Sequence, residues 1–427
     1  MAFDINEKHL NYVELLNREY FCGFDNFKMG QLLYTELYQA MQTSAIDNIL
    51  SGIRLLLKHK VNVQIDQRGK KNALLMLTYS YSRKDHDNEW EKYKHQFSDY
   101  TDIKISSNWK LHFNSICRLD KNLFGYLRKL PKDMPADVKF RMAATIKTAE
   151  IICNRLKQIR WKQYKCLVTY FDGGLFENTV VQYAKKCNLK TVTLQHSQPI
   201  YFGKTKDRLN QTTILNLTSD YSICKGRYSK KQFLCAGVEE DRLPILGGLF
   251  VYPSTIYREW ARKACVFLDA PTFAHSGKTN PELINYVSKA SKELGFKYWI
   301  KPHPMDQRDY SIYAHDENCL GIVNKAVTLD KLAENIQIAF LHTSGIYVDL
   351  LNCSVKPFRL STQYYYPITE KEEEFTSEIE LIECIKRWNS FNVEEKIKFI
   401  DDKRKSFDIG YHKDNQIGFI QSLMKEG

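Results

Sequence analysis

Tyr298-Trp299-Ile300-Lys301-Pro302-His303-Pro304 decides how this chain reads. The apolar run Tyr298-Trp299-Ile300 reads as a buried strand, and it stops at two prolines that flank a histidine. Proline fixes φ, removes a backbone donor and pushes the residue before it into extended geometry. Lys301 and His303 each precede a proline, so both are held extended just past a strand end. In open α/β sheets the crevice beyond the carboxyl ends of the strands is where ligands bind. A stiff surface loop is the plainer reading of an isolated His-Pro. The elements around this one favour a ligand site.

On either side the pattern alternates short apolar runs with helical periodicity. Strands are expected at 265–268, 321–323, 336–341 and 356–360, with helices at 280–294, 329–334, 345–353, 377–389 and 393–407. The first half repeats the alternation. Its strands are expected at 61–65, 73–78, 166–171, 191–194 and 221–224. Its helices are expected at 138–159, 176–187 and from about 229, after a helical region over 1–60 that breaks at Thr43-Ser44. Such alternation builds parallel, doubly wound sheets. Tyr252-Pro253-Ser254 reads as a linker, which gives two Rossmann-like domains over 1–250 and 251–427. The charged segment 82–102 reads as a solvated loop. It contains Asp85-His86-Asp87, a superficial likeness to an Asp-x-Asp metal site.

At 427 residues the chain exceeds what one hydrophobic core usually supports. Its 43% hydrophobic and 26% charged content is that of an ordinary globular protein. It contains no run of 18 apolar residues, so no membrane span is expected. Met1-Ala2-Phe3-Asp4 and the residues after it lack a basic-then-apolar secretory pattern. The eleven cysteines include no Cys-x-x-Cys pair. That spacing fits reduced thiols in a cytoplasmic protein better than a disulfide frame or a zinc site. The net charge of +12 is uneven: residues 1–250 carry 39 Lys and Arg against 25 Asp and Glu, and the remainder 23 against 25. A basic first half attracts anions such as acidic glycans or lipid phosphates. Its most aromatic stretch, Trp90 to Phe97, is close to neutral, so nucleic acid is not an expected partner.

No Gly-x-Gly-x-x-Gly and no Gly-x-x-x-x-Gly-Lys-Ser/Thr is present, which argues against a dinucleotide oxidoreductase and a P-loop enzyme. His342-Thr343-Ser344-Gly345 ends a strand and opens a helix. Free N–H groups and the helix dipole make such a turn an anion site, and Thr343 and Ser344 add hydroxyls. A phosphate held by Lys301, His303, Thr343, Ser344 and Gly345 is coherent; ordinary helix capping is the plainer alternative for the last three. In the first half Asp172 follows a strand and Gly173-Gly174 allows close approach. His196 also follows a strand. Either could be a general base for a hydroxyl acceptor. Glu177, in the first turn of its helix, is expected to serve the dipole. Tyr364-Tyr365-Tyr366-Pro367 reads as packing or a surface loop.

With these motifs in this order, the chain resembles GT-B-fold bacterial glycosyltransferases of surface-polysaccharide synthesis. It is similar to the group that includes capsule-type, Kdo-type and sialyltransferase-like enzymes and the CDP-glycerol polymerases. Tyr170-Phe171-Asp172-Gly173 looks like the acidic-Gly motif that supplies the base. Lys301-Pro302-His303-Pro304 looks like the His-Pro motif that contacts the donor nucleotide. His342-Thr343-Ser344-Gly345 looks like the motif that binds its phosphate, and 237–247 resembles the segment that closes the first domain. The resemblance implies two Rossmann-like domains facing a central cleft. The first would bind a glycan or lipid-linked acceptor, with Asp172 or His196 as the base. The second would bind a nucleotide sugar, CMP- or UDP-linked. Transfer would be inverting and metal-independent, with no cofactor. The enzyme would be cytoplasmic, peripheral on an anionic inner-membrane surface. A CDP-polyol phosphotransferase or a sugar-nucleotide epimerase of similar fold is the alternative within the fold. A non-enzymatic polyanion binder is the alternative outside it.

Overall fold

Residues 166–169, Cys-Leu-Val-Thr, are buried at every position, as are residues 338–341 and 356–360. Strands buried on both faces belong to parallel sheets covered by helices on each side. The computed structural model describes residues 2–57, 60–68, 73–79, 84–108, 121–194, 212–248, 255, 263–271, 275–362, 373–410 and 413–426. Two units divide the chain, Met1–Leu249 with Tyr411–Gly427 and Phe250–Gly410. Both are Rossmann-like and doubly wound, the pair of domains that the resemblance implies.

Unit 1 opens with α1 (Ala2–Arg18), α2 (Met29–Gln42) and α3 (Ala45–Leu57). It continues through β1 (Lys60–Arg68), β2 (Leu74–Tyr79), α4 (Lys84–Lys94), β3 (Tyr100–Asn108), α5 (Lys121–Lys129) and α6 (Ala136–Leu156). Then come β4 (Cys166–Thr169), α7 (Leu175–Lys186), β5 (Lys190–Leu194), α8 (Thr212–Leu215), β6 (Tyr221–Ile223) and α9 (Arg227–Cys235). The strand order is β1-β3-β2-β4-β5-β6, antiparallel between β1 and β3 and parallel elsewhere. Leaving out edge strand β1, this is the flavodoxin-like order, whose switch point lies between β2 and β4.

Unit 2 runs β7 (Lys263–Phe267), α10 (Ser276–Leu294), β8 (Lys297–Lys301), β9 (Cys319–Ile322), α11 (Leu329–Ala333) and β10 (Ile338–Leu341). It ends with α12 (Ile346–Asn352), β11 (Lys356–Leu360), β12 (Glu374–Phe375), α13 (Glu378–Ser390) and α14 (Val393–Phe407). Its six strands lie in the order β12-β11-β10-β7-β8-β9, all parallel. Taken in the order of the chain, that is the dinucleotide-binding arrangement, with its switch point between β7 and β10.

Three expectations are corrected here. The chain was expected to stay in the second domain to its end. Instead α15 (Lys413–Glu426) belongs to unit 1. Alternate residues of β2 face opposite ways: Leu75 and Leu77 join the cluster of α2, α6 and α7, and Leu74 and Met76 face the other side. That second face needs a cover, and Ile420 and Leu423 of α15 supply it together with Trp90 and Tyr93 of α4. Burying each aliphatic side chain contributes about 1.5–3 kcal/mol. Gln416 Nε2 adds a hydrogen bond to the Gly247 carbonyl at 2.8 Å.

Within the charged segment, residues 84–94 form a helix and 100–102 start a strand, where a loop was expected. Trp90, Tyr93 and Lys94 form one helical stripe, and all three are buried. Lys94 Nζ lies 2.7 Å from Asp102 Oδ2 and donates to Thr78 Oγ1 at 3.0 Å, which Trp90 Nε1 also reaches at 2.8 Å. The charges that suggested a loop are in part a buried, hydrogen-bonded pair. Asp87 is exposed on this helix; the side chains of Asp85 and His86 lie outside the described residues.

α10 begins at Ser276, one turn before the expected start. Pro281 sits inside the helix, where it has no N–H to give to the Gly277 carbonyl.

Candidate functional site

β7 and β10 diverge at the switch point of unit 2, and the residues just past their ends meet. Asp269, two residues beyond β7, is 1% exposed. His342 Nδ1 lies 2.7 Å from its Oδ2, Thr343 Oγ1 donates to the same oxygen at 2.8 Å, and the Thr343 N–H donates to Oδ1 at 3.2 Å. His275 Nε2 stands 3.5 Å from Oδ2. Burial pushes this carboxyl up, but the hydrogen bonds from His275, His342 and Thr343 outweigh it and hold the group well below the usual carboxylate range. An ionised Asp269 fixes the His342 proton on Nδ1, so Nε2 accepts from Thr362 Oγ1 at 2.9 Å.

α10 starts beside this cluster, at Ser276-Gly277. The first N–H groups of a helix have no partner within it, and the dipole favours an anion there. Among the described residues, a Cβ added to Gly277 would meet only Arg308 Nη1, at 4.0 Å. The helix end is therefore open apart from a guanidinium. Arg308 is placed by Asp306, which is fully buried: Nε donates to Oδ1 at 2.9 Å, Nη2 to Oδ2 at 2.6 Å, and the Arg308 N–H to Oδ1 at 3.0 Å. Tyr310 Oη donates to Oδ2 at 2.8 Å. Burial opposes the Asp306 charge, yet these donors hold its carboxyl down at about 2. Arg308 Nη1 reaches Ser276 Oγ at 3.2 Å, and the five-donor fork keeps further N–H groups for a ligand.

His303 stands past β8, partly buried. Its Nδ1 accepts from the Met305 N–H at 3.2 Å, which puts the ring proton on Nε2. Burial lowers its proton affinity, against the pull of Asp269 and Asp306, so the ring is a neutral donor at pH 7. Arg308 thus stands at the start of α10, and His303 offers a further donor from the same loop past β8.

The other expected phosphate ligands are placed differently. Lys301 Nζ donates to the carbonyls of Asn324 and Lys325 at 3.0 and 3.1 Å, joining β8 to the turn after β9. Thr343 gives both its N–H and its hydroxyl to Asp269. Ser344 Oγ accepts from the Ile346 N–H at 3.4 Å, and Gly345 is the N-cap of α12. These three shape the turn beside the anion site.

In unit 1, Asp172 follows β4 at the switch point and is 2% exposed. Its Oδ2 accepts the N–H groups of Thr218 and Ser219 at 2.9 and 2.7 Å, which clamps the turn before β6. Burial raises its carboxyl, against those two hydrogen bonds. Glu177 does not serve the helix dipole as an anion. Burial first, then the nearby Asp172 charge, push its carboxyl up to about 8, so it is protonated at pH 7. The Phe171 ring packs on Gly173 and the Glu177 carboxyl on Gly174, so a side chain at either glycine would collide. His196 and Tyr364-Tyr365-Tyr366-Pro367 lie outside the described residues, as does the linker Tyr252-Pro253-Ser254.

Asp269, His275, Asp306 and Arg308 were not singled out in the sequence. Asp306 and Arg308 follow the His-Pro motif directly, and Asp269 follows an apolar strand just as Asp172 does. Those positions were the available signal.

Among the described residues no helix is long and apolar enough to cross a membrane. No family model matches the chain, and no curated protein matches it. Among solved structures it is similar to a putative UDP-N-acetylglucosamine 2-epimerase from Listeria monocytogenes, with 10% identity and a TM-score of 0.48 over 84% of this chain and 98% of that one. It is also similar to the UDP-GlcNAc 2-epimerase of Methanocaldococcus jannaschii, with 13% identity and a TM-score of 0.48 over 82% and 99%. The wall teichoic acid polymerase TagF gives 12% identity and a TM-score of 0.39 over 100% and 98%. At such identities the likeness names no activity for this chain.

Proposed function

We propose that the protein is a glycosyltransferase that moves a sugar from a nucleotide-sugar donor to a glycan or lipid-linked acceptor in bacterial surface-polysaccharide synthesis. One observation supports the reading: past the switch point of unit 2, Arg308 reaches Ser276 at the start of α10, and the neutral His303 donor stands on the same loop after β8. A nucleotide diphosphate is the anion that a doubly wound sheet takes there. As the glycosidic bond breaks, charge grows on the leaving phosphate. Donors fixed in advance by Asp306 stabilise that charge without reorganising.

Unit 1 would carry the acceptor, drawn by its basic surface to an acidic or membrane-borne substrate. Asp172 is the base of this reading. Its Oδ1 takes neither the Thr218 nor the Ser219 N–H, and burial raises its carboxyl toward the range a base needs. Asp172→Asn tests the role, because an amide oxygen can still accept those two N–H groups. The expected result is loss of transfer by at least 100-fold, with donor binding and stability retained. Unimpaired transfer would reduce Asp172 to a clamp. The same assay separates the epimerase reading, because extended acceptor with released nucleotide supports transfer and an isomerised sugar without acceptor supports epimerisation.

A further inference from the structure

We infer that Asp269, His275 and His342 form a binding site for a divalent transition metal, with Zn2+ the ion that suits the donor set. One ligand atom from each of the three lies within 4.8 Å of the others. Asp269 Oδ2 is 2.7 Å from His342 Nδ1 and 3.5 Å from His275 Nε2. Ligand atoms about 2.0–2.1 Å from a tetrahedral zinc stand about 3.3 Å apart. The two Asp269 separations lie on either side of that value, and all three ligand atoms fall within 4.8 Å, so side-chain rotation that draws the imidazoles together would admit the ion. The rings of His275 and His342 meet edge to face at 5.0 Å between centroids, which brings both imidazoles to one side of the carboxylate.

The surroundings suit a metal site. Ligating histidines hold their other nitrogen on a hydrogen-bond partner, and ligating carboxylates are themselves hydrogen-bonded. With a metal on Nδ1, the His342 proton sits on Nε2 and donates to Thr362 Oγ1, the contact already 2.9 Å long. The Thr343 N–H and hydroxyl keep Asp269 oriented. Two imidazoles and one carboxylate match zinc, with one position left for a further ligand. His275 is the N-cap of α10, so the site adjoins the start of that helix, where Arg308 reaches Ser276.

Metal binding stands apart from the donor reading. Only the idea that the open position takes a donor phosphate oxygen rests on it. The expectation of metal-independent transfer came from the resemblance, and the cysteine spacing offered no zinc site. These ligands come from the ends of two strands and the start of a helix, at 269, 275 and 342, which no spacing rule detects.

The test is titration of the full chain, stripped with chelator, with Zn2+ and Co2+ alone. One Zn2+ per chain is expected to raise the melting temperature. Co2+ is expected to give visible ligand-field bands without thiolate-to-cobalt charge transfer. His275→Ala, which leaves the Asp269–His342 pair in place, is expected to weaken Zn2+ at least tenfold, read relative to its own apo form, whatever change in apo melting temperature the loss of the imidazole brings. No shift with Zn2+, an equal shift in His275→Ala, or charge-transfer bands that trace the ion to cysteines would overturn the site. A nucleotide panel without response, beside intact Zn2+ binding, would remove the donor reading and keep the metal.

Discussion

Asp269→Asn is expected to cost unit 2 about 3–5 kcal/mol, the loss when one partner of a buried charged network is removed. The carboxylate accepts from His342, from the Thr343 hydroxyl and from the Thr343 N–H. An amide offers one acceptor in place of two and turns an NH2 group toward a donor. The pH dependence has a definite sign. Asp269 is held below its unfolded value, so its contribution is present above about pH 3.9 and is lost as the pH falls through the lower folded value. The gap between wild type and variant should therefore be full at pH 7 and shrink as the pH drops below about 4. Urea denaturation of the chelator-stripped protein at both pH values measures it. A gap that is absent at pH 7 would remove Asp269 from its place at the centre of the cluster.

Arg308→Ala is expected to weaken donor binding by about 10- to 100-fold, the worth of a charge-assisted hydrogen bond of about 1.5–3 kcal/mol. Removing the guanidinium also leaves Asp306 buried with the Tyr310 hydroxyl and a backbone N–H as its remaining donors. Some stability loss should accompany the binding loss. Arg308→Lys separates the two, because an ammonium keeps the charge near Asp306 but cannot make the forked contact. The expected order of donor affinity, by calorimetry, is wild type, then Lys, then Ala. Equal affinities in all three would place the donor elsewhere.

The sequence showed the α/β alternation because the strands of both sheets are buried on both faces and read as short apolar runs. It also pointed to strand ends: Lys301 proves to be the last residue of β8 and not past it, while His303, Thr343 and Asp172 stand just beyond a strand. Which groups face the ligand was not legible. Lys301 and Thr343 are the residue types an anion site needs, but their donors go to backbone carbonyls and to Asp269. Asp306 aims Arg308 at Ser276, and that pairing depends on a turn that sequence spacing does not show. Helix α15 was placed with the wrong unit because a helix at the chain end carries no sign of which sheet it covers. Burial was equally hidden at Lys94, whose charged segment suggested a solvated loop, and at Glu177, which was expected to serve the helix dipole.

The central claim is that the switch point of unit 2 binds a nucleotide sugar. Thermal-shift titration of the full chain with CMP, CDP, UDP, GDP and their sugars tests it most directly. At least one nucleotide should raise the melting temperature, and Arg308→Ala should abolish that shift. Stabilisation by none of them, with tight polyanion binding that weakens steeply with salt, would contradict the claim and leave a binding protein in place of an enzyme.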